Sequence, residues 1–333
     1  MNTRIITADG IEDAAKCIKN GGTVVFPTET VYGLGADAFS DEAIPKIYKA
    51  KGRPSDNPLI VHISDLSQLS LLTDNINQRA KLLMDHFWPG PLTLIFHKLP
   101  TVSALVTAGL DTVAVRFPSN PIAQKLISLS GTLVAAPSAN LSGSPSPTIC
   151  SDVIDDLDGR VDYIIDGTGC EIGLESTVVD ISGPNTIILR PGGVTLEMIQ
   201  TLIPDAELDK GLIDDKVTPK CPGLKYTHYS PKANVIVVRG KKEAVRAYIL
   251  SKLEHNANCG VLTYKGGTYE GADLVLDAGD DMEDYAHNLF SHLRTFDKHN
   301  IKTIYAEFLP EGGMGTAVRN RLYKSAGHNI IEV

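Results

Sequence analysis

Residues 26–35 read FPTETVYGLG, and what this stretch becomes decides what the first half of the chain builds. The run TVVF (23–26) leading into it reads as a buried strand that stops at Pro27. Two threonines then flank a carboxylate, and glycines break the chain at 33 and 35. A polar knot set straight after an apolar strand suits a ligand site, because open α/β sheets gather ligand groups at the carboxyl ends of their strands.

Working outward, Asp9 with Glu12 resembles a capping box, and Ile11, Ala14, Ala15 and Ile18 give a helical stripe ending at Gly21-Gly22. Pro45 in DEAIPKIYKAK is compatible with a helix if it lies in the first turn, so that helix is expected to start near Glu42 to Ile44. Strands are expected at 58–62, 92–96, 112–116, 132–136, 161–165, 176–181 and 186–190, with helices at 76–87 and 121–129 among the connections. This is an α/β pattern with a mixed sheet, over residues 1–205. From about 206 to 234 the periodicity decays, and prolines fall at 219, 222 and 231, as in a linker. Residues 235–333 alternate strand and helix, which predicts a smaller three-layer α/β domain with a mainly parallel sheet.

The chain has 333 residues, enough for two domains that each bury a core. Forty acidic against 31 basic residues, a net charge of -9, argue against broad electrostatic capture of nucleic acid. Five cysteines without a CxxC pair fit a reduced interior, and the expected location is the cytoplasm. The opening MNTRIITADG has no apolar core of a signal peptide, and no run reaches the roughly eighteen apolar residues of a membrane span. Nine scattered histidines show no metal-ligand spacing, so no metal-ligating residue is expected.

Several polar constellations stand out. In KGRP, Lys51 and Arg53 are two apart; if the segment is extended they share a face, roughly 6 to 7 Å apart at the backbone, and can meet one anion or two adjacent ones. A solvated charge pair on a loop is the alternative. APSANLSGSPSP (136–147) repeats the device with Ser138 and Asn140 after a strand, although an ordinary Ser/Asn turn has the same composition. GLESTVV (173–179) sets Glu175, Ser176 and Thr177 at a strand entrance, and LRPGG (189–193) ends a strand with Arg190, whose fork of donors suits a phosphate. There is no P-loop, no dinucleotide fingerprint and no GxSxG. Basic sites and hydroxyl-rich turns without catalytic nucleophile machinery suggest a site that holds a polyphosphate. Trp88 in FWPGPLT reads as packing, and His62 at a strand end reads either as a satisfied core-edge group or as part of the nucleotide site.

Taken together, FPTETVYGLG, KGRPxxxPLIVH, FWPGPLT, VRFP, APSANLSG, ESTVVD and LRPG resemble the YrdC-like family, and CPGLKYTHYSP with GGMGTAVRNRLYKSA resemble its long, two-domain form. The resemblance implies a YrdC-like domain with a twisted mixed sheet and helices, linked to a smaller Rossmann-like α/β domain. It also implies an activity: L-threonine, bicarbonate or carbon dioxide, and ATP give threonylcarbamoyl-adenylate and pyrophosphate, the first step of N6-threonylcarbamoyladenosine formation at tRNA position 37. On the family's pattern Thr28, Lys51, Arg53 and Ser138 are the expected catalytic residues. Thr30, Arg53, His62, Ser138, Asn140, Ser176, Arg190 and Tyr229 are expected around the substrates and nucleotide. Lys51 is expected near the threonine carboxylate and the transferring carboxyl, with Arg53 and Arg190 on phosphates. Mg²⁺ is expected to ride on the phosphates. The KYTHYSP segment, with Lys225, Tyr226, His228 and Tyr229, is expected to form a lid, and Thr227 replaces a basic residue of the pattern. Downstream tRNA threonylcarbamoyl-transfer proteins are the expected partners, with direct tRNA contact left open. An RNA-binding module without nucleotidyl transfer is the competing reading.

Overall fold

The computed structural model describes residues 2–55, 57–213, 229–308 and 312–333. These residues form two compact units. One takes the chain up to Ser142, then Ser146–Glu171 and the chain from Glu175 through the last strand of its sheet. The other takes Gly143–Pro145, Ile172–Leu174 and the described residues from Tyr229 to Val333.

The first unit is built on one sheet of β1 (Arg4–Ile6), β2 (Val24–Phe26), β3 (Gly33–Asp37), β4 (Ile60–His62), β5 (Leu92–His97), β6 (Thr112–Arg116), β7 (Val134–Ala136), β8 (Tyr163–Ile165), β9 (Thr177–Asp180), β10 (Ile187–Arg190) and β11 (Glu207–Leu208). The spatial order is β1-β8-β2-β3-β7-β4-β6-β5-β9-β10-β11, with parallel and antiparallel pairs mixed. The predicted strands from 23 to 190 are present, most of them trimmed by a residue or two. The stretch GLGAD, read as a glycine-broken segment, is instead strand β3. Its glycines have a packing reason, because a Cβ at Gly35 would collide with the side chains of Val134 and Phe26.

Local chemistry sets the helices. Asn77 accepts from the Ala80 amide at 2.9 Å and starts the helix Gln78–Phe87, while Asn120, followed by Pro121, starts Pro121–Ser130. Pro45 lies in the first turn of Ile44–Lys51, where its missing amide costs nothing. At the first helix the capping box is not formed. A short 3-10 turn, Ala8–Gly10, leads in, and Gly10 is the N-cap of Ile11–Lys19. The stripe Ile11, Ala14, Ala15 and Ile18 is buried as its spacing requires.

What positions the site is the difference between the sheet's two faces. On one, Val61, Leu94, Val115, Val179 and Ile188 join a large apolar core with side chains of the helices Ile44–Lys51 and Gln78–Phe87. On the other, the helices Ile11–Lys19 and Pro121–Ser130 cover Val24, Phe26, Val134 and Ala136. Beyond Val134 that second face changes character. One rung of register partners runs Val134–His62–Arg116–Thr93–Val178–Arg190 from β7 through β4, β6, β5 and β9 to β10. Directly paired residues point to the same side, so these polar side chains share one surface.

The second unit has a five-stranded, wholly parallel sheet in the order β14-β13-β15-β12-β16, formed by β12 (Asn234–Arg239), β13 (Cys259–Thr263), β14 (Leu274–Asp277), β15 (Thr303–Phe308) and β16 (Ile330–Glu332). Helices Lys242–Leu253, Met282–Lys298 and Met314–Ser325 connect them. This is the Rossmann-like arrangement that alternating strand and helix predicts. Among the described residues no helix is long and apolar enough to cross a membrane.

Candidate functional site

After β2 the chain turns sharply through Thr28–Val31. The Thr28 hydroxyl accepts from the amides of Thr30 and Val31, both at 3.2 Å, and donates to the Val31 carbonyl at 2.6 Å. Its neighbour Thr30 Oγ1 lies 2.9 Å away. The turn docks on the end of β6, where Arg116 Nη1 donates to Thr30 Oγ1 at 2.8 Å and Nη2 sits 2.7 Å from Glu29 Oε1. The pair is buried, with Glu29 and Arg116 each 4% exposed. Burial alone would raise the Glu29 carboxyl, but the Arg116 guanidinium charge beside it holds it below the usual value. Beside Arg116 on the rung, His62 passes Nδ1 to the Ile60 carbonyl at 3.0 Å and sets its ring edge-on to Phe26. Burial, reinforced by Arg116, pushes its pKa down to about 3, so His62 is neutral near pH 7.

The second cluster gathers at the end of the helix Ile44–Lys51. Lys51, 2% exposed, donates through Nζ to the Ser138 carbonyl at 2.5 Å, the Asn140 carbonyl at 2.7 Å and Asn140 Oδ1 at 3.3 Å. Ser138 Oγ donates to Asn140 Oδ1 at 2.5 Å. The two loops are laced to the first cluster, because Ala139 N donates to the Tyr32 carbonyl at 2.8 Å and Ser138 bridges to Gly33. The extended reading of KGR does not hold. Lys51 is helical and Gly52 is left-handed at φ 64°, so the chain reverses in a Schellman turn with Arg53 N bonded to the Tyr48 carbonyl at 3.2 Å. Arg53 therefore turns away from the Lys51 contacts, with its guanidinium 5.4 Å from the Tyr48 ring centroid and Nη2 3.5 Å from the Asn57 carbonyl.

At the far end of the rung, Ser176 Oγ lies 2.8 Å from Thr93 Oγ1 and receives Arg190 Nη2 at 3.1 Å, while Arg190 Nε donates to the Ser176 carbonyl at 3.0 Å. The LRPGG turn packs tightly here: a Cβ on Gly192 would lie 2.5 Å from the Thr177 amide nitrogen and 2.6 Å from the Glu175 carbonyl. Only a glycine permits that approach. Glu175 itself accepts from Ser146 Oγ at 2.6 Å.

Tyr229 lies in the second unit, at φ 65°, with its ring stacked on Phe290 at 5.2 Å and Arg321 5.8 Å from its centroid. Lys225, Tyr226, Thr227 and His228 lie outside the described residues. Trp88 packs against the first unit's core and donates Nε1–H to the Leu92 carbonyl at 2.7 Å. Among the described residues no group of three or more metal-ligating side chains comes together.

The structure thus sets Thr28, Thr30 and His62 around Arg116, Ser138 and Asn140 around Lys51, and Ser176 with Arg190. Arg53 stands apart on Tyr48. Arg116 and Thr93 were missed as site residues. Their signal was present: TVAVR ends an alternating strand on a charge directly before Phe-Pro, and Thr93 is a polar position in an otherwise apolar strand.

Comparisons with known proteins show the family and the fold. A family model for Sua5, YciO and YrdC, described as telomere recombination, matches residues 16–192, and one for a threonylcarbamoyl-AMP synthase C-terminal domain matches 194–327. The chain is 48% identical over 326 residues to a threonylcarbamoyl-AMP synthase of Bacillus subtilis, spanning 96% of this chain and 94% of the relative. It is similar to the crystal structure of P. abyssi Sua5 complexed with L-threonine, with a TM-score of 0.95 and 46% identity over 99% of this chain and all of the other. A form of P. abyssi Sua5 with alanine in place of an adjacent histidine and tyrosine matches with a TM-score of 0.94 and 45% identity, over 99% and 98% of the two chains.

Proposed function

We propose that this chain, which belongs to the Sua5/YciO/YrdC family, is a threonylcarbamoyl-AMP synthase that condenses L-threonine, bicarbonate and ATP into threonylcarbamoyl-adenylate, pyrophosphate and water. The observation that carries the reading is the polar rung. Arg116 and Arg190 stand in one register on a single sheet face, and the threonine turn docks onto Arg116. Such a surface holds anions in fixed places and offers no activated nucleophile of its own, which suits a reaction whose substrates supply both nucleophile and leaving group.

In this reaction the threonine amine attacks the bicarbonate carbon, the hydroxyl there leaves as water with the amine proton, and an oxygen of the resulting carbamate attacks the α-phosphorus, expelling pyrophosphate. Three anions must be brought together, so the enzyme's task is mainly electrostatic. Arg116 with Thr28 and Thr30 receives the amino acid end. Lys51, held by Ser138 and Asn140, faces the transferring carboxyl, and Arg190 with Ser176 serves the phosphates. His62, neutral at working pH, packs behind Arg116 and lends no proton. Glu29 stays ionised against Arg116, so neither group is poised as a base near neutrality, and bicarbonate itself takes the amine proton. The carboxylates Glu29 and Glu175 are already engaged by Arg116 and Ser146, so they form no cage for magnesium. The ion is assigned to the ATP phosphates, and no step runs through it.

This sequence has one His-Tyr step, His228-Tyr229, and the P. abyssi variant alters one adjacent histidine and tyrosine, which supports a part for this step in the reaction. The product passes to tRNA threonylcarbamoyl-transfer proteins in the cytoplasm. Pyrophosphate release from ATP and bicarbonate, measured with each of the twenty amino acids in turn, tests the reading. Release specific to L-threonine is expected. No release with threonine, from a folded protein that binds RNA in a salt-dependent way, would overturn it in favour of a binding module.

A further inference from the structure

We propose that Glu29 is a positioning residue for this reaction, holding the Arg116 guanidinium in the orientation that meets the substrate anion and fixing the direction of the Thr30–Thr28 hydroxyl chain. The proposal rests on the synthase reading above.

The direction follows from counting donors. A guanidinium only donates, so Thr30 Oγ1 must accept from Arg116 Nη1 at 2.8 Å. The hydrogen of Thr30 Oγ1 then turns to the next acceptor in reach, Thr28 Oγ1 at 2.9 Å. Thr28 in turn gives its own hydrogen to the Val31 carbonyl at 2.6 Å. The chain runs one way, from Arg116 through Thr30 and Thr28 to the backbone, with a cation at its head to strengthen it.

Glu29 holds the other terminal nitrogen of the same guanidinium, Nη2, at 2.7 Å. With Nη1 hydrogen-bonded to Thr30 and the carboxylate charge beside Nη2, the planar group is held in one orientation. The ion pair ties the PTET turn, which carries the carboxylate, to the end of β6, which carries the guanidinium. Buried ion pairs contribute little net stability compared with an apolar pair of the same volume. Keeping one at the foot of a polar sheet face points to what the charge holds in place. A purely packing role would need neither the charge nor the shared guanidinium.

Glu29→Gln keeps the shape and removes the charge. It is expected to raise the KM of whichever substrate loses affinity in Arg116→Lys, by about tenfold, with kcat changed by less than about threefold, because the interaction is one of uniform binding. In Glu29→Gln/Arg116→Lys that KM should match Arg116→Lys alone, since Glu29 acts through the arginine. Trp88 emission and a thermal melt establish that each variant is folded. A folded Glu29→Gln with a lowered melting temperature but all three KM values unchanged overturns the proposal, as do effects that add in the double variant. If Glu29→Gln does not fold, Thr30→Val carries the test through the same chain. It should raise the same KM by about fivefold, with no further rise on top of Arg116→Lys, and an unchanged KM contradicts the proposal. A wild type that releases no pyrophosphate with threonine overturns the synthase reading itself, and with it the reaction assigned to Glu29.

Discussion

Each unit buries a glutamate, and the two are partnered differently. In the first, Glu29 faces a guanidinium that also reaches a threonine hydroxyl on a polar sheet face. In the second, Glu307, 2% exposed near the end of β15, receives the Thr263 hydroxyl at 2.7 Å, the Tyr264 amide at 2.8 Å and the Tyr269 hydroxyl. Arg246 stacks on the outer side of the Tyr269 ring, 5.2 Å from its centroid. The second carboxylate is satisfied by neutral donors and serves the fold. The first is satisfied by a cation that has other work, and it serves a ligand. Buried charge therefore reads as function where its partner is itself a binding group, and as architecture where its partners end with it.

The contrast can be broken by substitution, and the largest expected effect is at Lys51. Lys51→Ala should lower kcat/KM for pyrophosphate release by about a thousandfold while leaving a folded protein, because its ammonium stabilises developing charge. Normal turnover by the folded variant would mean that Lys51 only braces the Ser138–Asn140 loop. The counterpart in the second unit is Glu307→Ala, which strands three buried donors and should cost about 3 kcal/mol of that unit's stability. Thermal melts followed by circular dichroism check this, with turnover preserved below the transition.

Acid sharpens the comparison next. The native state keeps His62 neutral down to about 3, whereas the unfolded chain takes up a proton below its ordinary value of 6.5. Between those values the unfolded state binds more protons, so stability falls as the pH drops through the window. The lowered Glu29 acts in the same direction, adding stability above its ordinary 4.5 that is lost as the pH falls through its depressed value. The only tryptophan, Trp88, lies in the first unit, so its emission in urea titrations isolates that unit. His62→Gln should flatten the acid slope between pH 6.5 and 4.5 by up to about 1.4 kcal/mol per pH unit. An unchanged slope would remove His62 as its source. The smallest effect is expected for Tyr269→Phe, which takes one donor from Glu307 and should cost about 1 kcal/mol with no change in turnover. A turnover defect there would tie the second unit's carboxylate to the chemistry.

Much of this was legible in the sequence where the controlling forces are local. The stripe of Ile11–Ile18, the proline in the first turn of Ile44–Lys51 and the strand runs flanking FPTETVYGLG follow from periodicity and turn chemistry. The parallel character of the second sheet follows from its alternating elements. Register is not local, and that is where the reading fell short. That Arg116 would stand between His62 and Thr93, opposite the PTET turn, depends on strand pairings closed over long loops. Glycines hid β3, because close packing against Phe26 and Val134, rather than flexibility, is what Gly35 provides. At KGR, two-residue spacing suggested a shared face, but the left-handed Gly52 ends a helix and sends the two cations to different partners. The resemblance to a family supplied the site list, while physical reading of single motifs left each one open to a bland alternative.

The most direct test of the polar face as the reaction site is incorporation of labelled bicarbonate into an adenylate, with threonine and ATP, by wild type and by Arg116→Ala. Both proteins must first be shown folded by Trp88 emission. We predict labelled threonylcarbamoyl-adenylate from wild type and a loss of at least about a hundredfold in the variant. A folded Arg116→Ala that forms the adenylate at the wild-type rate would contradict the account.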